Sequence, residues 1–317
     1  MTDPDLHSRG EKLVGINDVE LCFETFGNPA HPAILLIDGA AASMLWWEAE
    51  LCERIAHGDR FVIRYDNRDT GRSTSYPPGR PGYAFTDLAG DALGILDALD
   101  VERAHIVCRS MSGGIGLIIG VDHPDRVESL TFVSTSTGGD GLPPPSDEVT
   151  AGVPADPDPA DSGAVVDFVV ASAKAYSGGS PHFDETATRA LVERDVARTR
   201  DIASTLVNHY AMAFDGASRD FASIEAPTLV VHGDHDPVFP LPHGHALRDA
   251  IPGATLLILE GAGHDLPKPL WDVFVPALLQ HTEGERAEAE HTEGERAEHA
   301  RAEREHVEGE HTEGGPR

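Results

Sequence analysis

Short, continuous apolar runs recur along most of the chain and predict buried β-strands. They lie at residues 33–37, 61–65, 106–108, 130–133, 227–231 and 257–259. A strand covered on both faces has apolar side chains at successive positions, which is typical of a parallel sheet. Residues 19–24 instead alternate apolar and polar side chains, and a polar turn at Asn17-Asp18 separates them from residues 13–16. That pattern predicts an antiparallel hairpin at the edge of the sheet.

Helical periodicity separates the predicted strands. It is clearest at residues 85–99, where apolar side chains recur at helical spacing. Further helices are predicted at residues 46–55, 115–121 and 270–279. Strands that alternate with helices in this way predict an α/β fold with a mostly parallel central sheet and helices on both faces.

The alternation is interrupted after the predicted strand at 130–133. Residues 138–162 are crowded with Gly, Pro and Asp, which disfavour regular structure. Helical periodicity then returns at residues 164–175, 184–200 and 202–214. We therefore predict a helical cap at residues 137–216, inserted between two parts of the core at residues 1–136 and 217–281. Such insertions exclude water and shape a substrate pocket.

The segment 282–317 is an acidic, low-complexity tail in which His-Thr-Glu-Gly recurs. It contains 12 Glu and 5 Arg with almost no apolar residues, so it cannot bury a core and is predicted to be disordered. Its histidines could hold a metal loosely, but a solvated tail is favoured, and no metal site is predicted. The tail accounts for only part of the net charge of −30. The acidic body argues against nucleic acids and anionic membranes as partners.

Three cysteines, Cys22, Cys52 and Cys108, have no metal-binding spacing and cannot all pair. This favours a reducing cytoplasm. The polar, acidic start of the chain is unlike a signal peptide, and no apolar run approaches the roughly 18–20 residues of a membrane helix. The sequence leaves the oligomeric state open.

The chemistry is expected where the strand at 106–108 meets the following helix. A serine on such a turn, here Ser110, exposes its oxygen at the carboxyl edge of the sheet. The turn also aims the amide of Met111, at the positive end of the helix, at a developing oxyanion. Two alternatives compete: Ser110 as a simple helix cap, and Ser112 as the nucleophile.

An acid and a histidine follow the serine in chain order, each at the end of a predicted strand. The Gly-x-x-Asp count from Gly233 favours Asp236 over Asp234, and His264 follows the strand at 257–259 between small residues. The order serine, acid, histidine is that of a Ser-His-Asp triad on an α/β sheet. The three side chains are therefore expected to meet at one edge.

Other candidates surround this predicted triad. Ala40, in the loop after the strand at 33–37, is the candidate for the second oxyanion amide, because Gly39 and Ala40 let the backbone approach closely. Residues that could line the pocket are Trp46, Arg109, His209, Tyr210, Met212 and Phe214. Asp38 and Arg109 are charged and expected near the mouth of the site. They either pair with each other, or Arg109 offers a cation to an anionic substrate.

These motifs resemble the α/β-hydrolase superfamily over residues 12–280 and, within it, the aclacinomycin methylesterase family of polyketide methyl-ester hydrolases. The similarity is carried by residues 62–74, 104–107 and 110–111, by His235-Asp236-Pro237 and by Gly263-His264. The resemblance implies a nucleophile at Ser110, an acid at Asp236 and a base at His264. It also implies an oxyanion hole at Ala40 and Met111. Departures occur at Cys108 and Ser112, where the family has glycines, and at Asp38 and Arg109.

We therefore expect a serine hydrolase that cleaves a small-molecule carboxylic ester, with a polyketide methyl ester as the candidate substrate and without a metal or organic cofactor. The alternative is a protein of the same fold without hydrolytic activity, either a ligand-binding protein or a cyclase or lyase. The altered flanks of the serine support that alternative, and fold alone does not decide function.

Overall fold

The computed structural model describes residues 10–212, 215 and 219–283. Within them an eight-stranded sheet forms the core, in the order β1-β2-β4-β3-β5-β6-β7-β8. The strands are β1 (Lys12–Ile16), β2 (Val19–Phe26), β3 (Ala33–Ile37), β4 (Phe61–Tyr65), β5 (Ala104–Arg109), β6 (Val127–Val133), β7 (Thr228–Gly233) and β8 (Thr255–Leu259). β1 and β2 form an antiparallel hairpin, and β2 is antiparallel to β4. The remaining pairs are parallel, so the predicted hairpin and mostly parallel sheet are confirmed.

The helices occupy the connections between strands. They are α1 (Ala49–Ala56), α2 (Phe85–Ala98), α3 (Gly113–Asp122), α4 (Asp147–Gly152), α5 (Ser162–Tyr176), α6 (Glu185–Arg198), α7 (Ile202–Ala211), α8 (Pro242–Ala250) and α9 (Trp271–His281). Two boundaries differ from expectation. The helix predicted from residue 46 begins at Ala49, after a 3-10 turn at Met44–Trp46. The short helix α4 forms inside the stretch that was expected to resist regular structure.

Both faces of the sheet are covered because successive strand residues point to opposite sides. In β3, Leu35 and Ile37 belong to the apolar cluster that includes residues of α2, α3 and α8. Ile34 and Leu36 belong to the second cluster, together with residues of α1 and α9. A strand buried on both faces must be apolar at every position, which explains the continuous runs in the sequence.

The order of the strands creates a crevice between β3 and β5. These strands are neighbours, but β4 lies on the far side of β3 and β6 on the far side of β5. The loops that leave their carboxyl ends therefore diverge, and ligands of open α/β sheets bind at such a point. Ile37 pairs with Cys108 in the parallel register. The next residues, Asp38 and Arg109, consequently leave the sheet side by side.

Helices α4 to α7, here called the insert, lie in the chain between β6 and β7. Val166 and Val170 of α5 pack against Val192 of α6, and Trp46 of the core joins this small apolar cluster. The tail prediction concerns residues 282–317, and all but the first two of these lie outside the described residues. In the described part of the chain, no helix has the length and apolar character needed to cross a membrane.

Candidate active site

Ser110 occupies the turn between β5 and α3 with a left-handed backbone, at a φ of 54°. This conformation costs a residue with a side chain roughly 1–2 kcal/mol, so neighbouring contacts must hold it. The hydroxyl of Ser112 accepts the N–H of Arg109 (2.8 Å) and donates to the carbonyl of Ile37 (2.8 Å). Thr135 Oγ1 donates to the carbonyl of Ser110 (2.6 Å). The turn is therefore tied to the ends of both strands that flank β5.

Cys108, on one flank of Ser110, faces a glycine of the following helix. A Cβ on Gly116 would lie 2.7 Å from Sγ of Cys108, so glycine at this position leaves room for the cysteine side chain. A Cβ on Gly113 would overlap the side chain of Thr135, which bonds to the carbonyl of Ser110. Ser112 is fully buried and its hydroxyl bonds to backbone groups, so the geometry favours Ser110 over Ser112 as the nucleophile.

The predicted triad comes together at the carboxyl edge of the sheet. His264 Nε2 lies 2.8 Å from Ser110 Oγ, and His264 Nδ1 lies 2.9 Å from Asp236 Oδ2. The other carboxylate oxygen of Asp236 accepts the backbone N–H groups of Val238 and Phe239, both at 2.9 Å. Nδ1–H of His264 therefore faces the carboxylate, and Nε2 is left to accept the serine hydroxyl proton.

The carboxylate of Asp236 is held in its ionised form. Burial alone would raise the pKa of Asp236, but the neighbouring His264 and His232 lower it below its ordinary value. His232 is fully buried in β7, with Nε2 at 3.6 Å from Asp236 Oδ2 and hydrogen-bonded to the carbonyl of Phe239 (2.7 Å). His232 was not among the residues predicted from the sequence. Its position four residues before the acid, at the end of the same strand, was the available signal.

The rival acid, Asp234, points elsewhere. Its carboxylate contacts Nδ1 of His235 (2.7 Å) and accepts the N–H of Gly261 (2.7 Å). The first contact lies within the loop after β7, and the second links that loop to the turn after β8. The geometry therefore favours Asp236 as the partner of His264.

The loop after β3, residues 38–41, here called the β3 loop, approaches the serine from the other side. A Cβ on Gly39 would lie 2.9 Å from Cβ of Ser110, so this close approach requires glycine. Ala40 follows directly, and Met111 is the residue after the serine. One predicted oxyanion amide therefore belongs to a backbone segment that closely approaches Ser110, and the other belongs to the residue that follows Ser110.

Asp38 and Arg109 form a buried ion pair beneath these segments. The guanidinium nitrogens lie 2.8, 2.9 and 3.1 Å from the carboxylate oxygens, and Asp38 Oδ1 also accepts the N–H of Gly39 (2.6 Å). The guanidinium stacks on the ring of Trp47, 5.2 Å from its centroid. The sequence left two options, pairing of Asp38 with Arg109 or a free Arg109 that binds an anionic substrate, and the structure shows the pair. Arg109 is 8% exposed and already neutralised, so it is not a free cation for a substrate.

Residues 32–268 match the family described as the alpha/beta hydrolase fold. The chain belongs to this family. Rhodomycin D methylesterase DauP of Streptomyces sp. (strain C5) is 32% identical over 86% of this chain and 97% of that protein. Rhodomycin D methylesterase DnrP of Streptomyces peucetius is 30% identical over the same shares. Among solved structures, the enol-lactonase from Burkholderia xenovorans LB400 superposes with a TM-score of 0.67 at 25% identity, over 85% of this chain and 99% of that one. The predicted fold class is confirmed.

In this alpha/beta hydrolase the proposed pocket residues have other partners. Trp46 packs in the apolar cluster of the insert, and its Nε1–H donates to Asp195 of α6 (2.9 Å). Met212 packs against the larger core cluster, and Tyr210 is exposed. Phe214 lies outside the described residues.

His209 is buried between two core loops. Its Nδ1 accepts the N–H of Ala41 (3.0 Å), and its Nε2 lies 2.8 Å from the carbonyl oxygen of Arg68. Burial lowers the pKa of His209 below its ordinary value, so the ring is neutral with its proton on Nε2. Both nitrogens are committed to the protein, and neither is available to bind a ligand.

The polar loop at residues 66–72 links the core to the insert. Asp66 accepts two hydrogen bonds from Arg198 of α6 (3.0 and 2.9 Å), and Arg68 is bidentate on Asp91 of α2 (2.6 and 2.8 Å). Asp66 and Arg68 therefore anchor this loop to two helices that are distant in the chain. Gly71, at a φ of 49°, gives room for the side chain of Arg198.

The contacts between α7 and this loop were not expected from the sequence. The α7 residues Ser204, Thr205, Asn208 and His209 are buried. Asn208 donates to the carboxylate of Asp69 (2.9 Å), and Thr205 donates to its carbonyl (2.6 Å). The available signal was the helical spacing of these polar residues within the helix predicted at 202–214.

Proposed function

We propose that this protein is a serine hydrolase that cleaves a carboxylic ester through an acyl-enzyme on Ser110. The observation that carries the proposal is the unbroken relay from Ser110 Oγ through both nitrogens of His264 to Asp236, with contacts of 2.8 and 2.9 Å. A serine hydroxyl becomes an effective nucleophile only when an adjacent base removes its proton, and this relay supplies the base.

In the acylation step, Ser110 Oγ attacks the ester carbonyl carbon while His264 Nε2 takes the hydroxyl proton. Asp236 holds the imidazole by its Nδ1–H and stabilises the imidazolium. The carbon–oxygen bond to the alcohol then breaks, and His264 returns the proton to the departing alcohol oxygen. A water molecule repeats the sequence at the acyl carbonyl, which releases the acid and regenerates Ser110.

The amides of Met111 and Ala40 are the proposed donors to the oxyanion of the tetrahedral intermediate. A donor of this kind contributes roughly 3–4 kcal/mol in the transition state. Their placement on either side of Ser110 follows from the contact between Gly39 and Ser110. We assign no metal or organic cofactor to the reaction, because the side chains and amides named above supply its acid, base and nucleophile.

We propose a polyketide methyl ester as the substrate, so that methanol is the departing alcohol. The support is the name rhodomycin D methylesterase carried by two relatives that align with 86% of this chain. The rival proposal of a non-hydrolytic protein had its support in Cys108 and Ser112. Gly116 leaves room for the side chain of Cys108, and the hydroxyl of Ser112 bonds to backbone groups of the turn, which leaves that rival without a structural argument.

We further propose that residues 137–216 act as a cap over the site. Tyr176, at the end of α5, accepts the N–H of His264 at its carbonyl (2.9 Å), and its ring lies 6.2 Å from the imidazole. The insert is thus in direct contact with the proposed base. The three cysteines are buried free thiols, which supports the cytoplasm as the proposed location.

The decisive experiment compares two serine variants on methyl esters and p-nitrophenyl esters. Ser110→Ala is expected to lower kcat by about 10⁴- to 10⁶-fold. Ser136→Ala is the matched control, because Ser136 also contacts a histidine (Oγ to His243 Nδ1, 2.7 Å) but lies outside the relay. It should stay within about threefold of wild type, since it removes no group that interacts with the transition state.

Labelling identifies the nucleophile independently of the substrate. A fluorophosphonate should modify Ser110 in wild type and in Ser136→Ala, and peptide mapping should find no label in Ser110→Ala. Full ester turnover by Ser110→Ala would overturn the proposal. Turnover of simple esters without any polyketide methyl ester would overturn only the substrate.

A further inference from the structure

We propose that His209 is a positioning residue for ester hydrolysis, which fixes the β3 loop from helix α7 and thereby holds the amide of Ala40 in place. The inference rests on the proposed function and extends it to a residue of the insert. It assigns to a cap helix a part in stabilising the oxyanion, although that helix contributes no group of the Ser110 relay.

The first observation is the pair of hydrogen bonds made by the buried ring. Nδ1 accepts from the N–H of Ala41 at 3.0 Å, and Nε2–H donates to the carbonyl of Arg68 at 2.8 Å. The ring is 5% exposed, and the ring of Tyr83 packs edge-on at 6.5 Å. One neutral tautomer satisfies both backbone groups, so the imidazole links the β3 loop to the loop at residues 66–72.

The second observation is the conformation of Ala41, which has a φ of 56°. A residue with a side chain adopts this left-handed region at a cost of roughly 1–2 kcal/mol. Such backbone strain persists where the surroundings hold it. The contact from the N–H of Ala41 to His209 is the hydrogen bond that acts directly on this peptide group.

The third observation is that the peptide groups on either side of the Ala40 amide are both fixed. On one side, the N–H of Gly39 donates to the carboxylate of Asp38, which Arg109 holds. On the other side, the N–H of Ala41 donates to His209. The amide of Ala40 lies between them, so its direction depends on both supports. Removing either hydrogen bond leaves the peptide group on that side of the Ala40 amide without its partner.

Helix α7 is itself firmly held, which makes it a suitable support. Asn208 donates to Asp69 (2.9 Å) and accepts the N–H of Gly79 (2.7 Å), and Thr205 donates to the carbonyl of Asp69 (2.6 Å). The imidazole therefore projects from a fixed helix onto the β3 loop. Docking of the insert and orientation of the Ala40 amide are coupled through this one side chain.

An oxyanion donor interacts with charge that develops only in the transition state. Displacing it lowers kcat and leaves KM nearly unchanged, since ground-state binding does not use it. A purely structural role of His209 would instead lower the fraction of active protein and its thermal stability. The turnover of each active site would then stay the same.

Two substitutions separate the two hydrogen bonds. His209→Asn keeps an acceptor near the position of Nδ1, facing Ala41, and loses the donor to Arg68. His209→Gln keeps a donor near the position of Nε2, facing Arg68, and loses the acceptor for Ala41. We expect kcat per titrated active site to fall by about 30- to 100-fold in His209→Gln, as for a misplaced catalytic group. In His209→Asn it should fall by less than about fivefold, because the Ala41 contact remains.

The measurement is kcat and KM on a methyl ester, with active sites counted by fluorophosphonate titration. Val207→Ala, on the exposed side of α7, shows the effect of an ordinary change to this helix. Equal kcat values in wild type and His209→Gln would overturn the inference alone, and so would a greater loss in His209→Asn than in His209→Gln. Absence of ester turnover in wild type would overturn the proposed function and this inference with it.

Ala41→Gly tests the same point from the loop, without disturbing α7. Glycine adopts positive φ freely. In this variant the side chain of residue 41 no longer restricts the backbone, and the hydrogen bond to His209 alone holds the peptide group. We expect kcat within about threefold of wild type, because the hydrogen bond to His209 survives. A fall in kcat as large as that of His209→Gln would show that the restricted backbone of Ala41, and not the hydrogen bond to His209, fixes the conformation of the loop. That result would overturn the inference.

Discussion

The two sides of Ser110 are built in different ways. On the acid–base side, His264 and Asp236 contact one another and the serine directly, and two backbone N–H groups hold the carboxylate. On the oxyanion side, the proposed donors are backbone amides. Side chains from β5 and α7 hold the β3 loop that carries one of them.

This difference predicts different responses to substitution. On the acid–base side the proposed mechanism needs each side chain, so removing one should abolish most of the activity, and losses from further substitutions should not add. On the oxyanion side no side chain performs a step. Each support holds part of a backbone segment, so single substitutions should give partial losses in rate or in stability.

The largest expected effect is on the acid–base side. Asp236→Asn should lower kcat by about 10⁴-fold, because an amide favours the wrong tautomer of His264 while keeping the geometry. The neighbouring acid supplies the control: Asp234→Asn removes a carboxylate two residues away that contacts His235 and Gly261. It should leave kcat within about threefold. Steady-state kinetics on a p-nitrophenyl ester at about pH 7.5, where His264 must act as a base, would check both. Similar losses in the two variants would contradict the assignment of Asp236.

The acid–base side was also the more predictable from the sequence. Ser110, Asp236 and His264 each follow an apolar run, and the carboxyl ends of parallel strands meet at one edge. Local pattern and fold class were therefore enough to bring them together. The pairing of Asp38 with Arg109 was foreseen as one of two options, and the register of β3 with β5 decides it.

The supports from the insert could not be predicted in the same way. His209 and Asp195 act through contacts with core loops that are more than a hundred residues away in the chain. The periodicity at residues 202–214 predicted helix α7, but the buried residues of this helix are polar and bond to backbone and carboxylate groups, so the pattern did not indicate what the helix contacts. When a helix contacts a loop through hydrogen bonds, the partners depend on how the two segments are positioned in the folded protein. A pattern of apolar and polar residues along the chain does not specify that position.

The next largest effect concerns the ion pair beneath the β3 loop. Arg109→Met should lower the free energy of unfolding by about 3–5 kcal/mol, because it leaves a buried carboxylate without its counter-charge. Asp38 is 1% exposed, so water cannot replace the guanidinium. Urea unfolding, followed by tryptophan fluorescence, is the measurement.

Two controls define this ion-pair prediction. The double variant Asp38→Asn/Arg109→Met removes both charges and should recover at least about half of the lost stability. Arg189→Met breaks an exposed pair with Asp167 in the insert and should cost less than about 1 kcal/mol. If the double variant were no more stable than Arg109→Met, the loss would come from packing on Trp47 rather than from the unpaired charge.

The smallest expected effect is a pH dependence of the free energy of unfolding, caused by Asp195 of α6 in the insert. Burial, reinforced by the nearby carboxylate of Asp66, raises the pKa of Asp195 from 3.8 to about 6. The folded protein therefore binds this proton more tightly than the unfolded chain, so the contribution of Asp195 to stability is present below about pH 4 and is lost as pH rises to about 6. A shift of this size corresponds to about 2–3 kcal/mol.

Asp195→Asn keeps an acceptor for Nε1–H of Trp46 and removes the titration. The stability of this variant relative to wild type should therefore rise across that pH interval and level off above it. Urea unfolding between pH 4 and pH 8, roughly the span of this titration, would measure the difference. Asp167→Asn, at an exposed position of the insert, should run parallel to wild type, and a parallel curve for Asp195→Asn would contradict the argument.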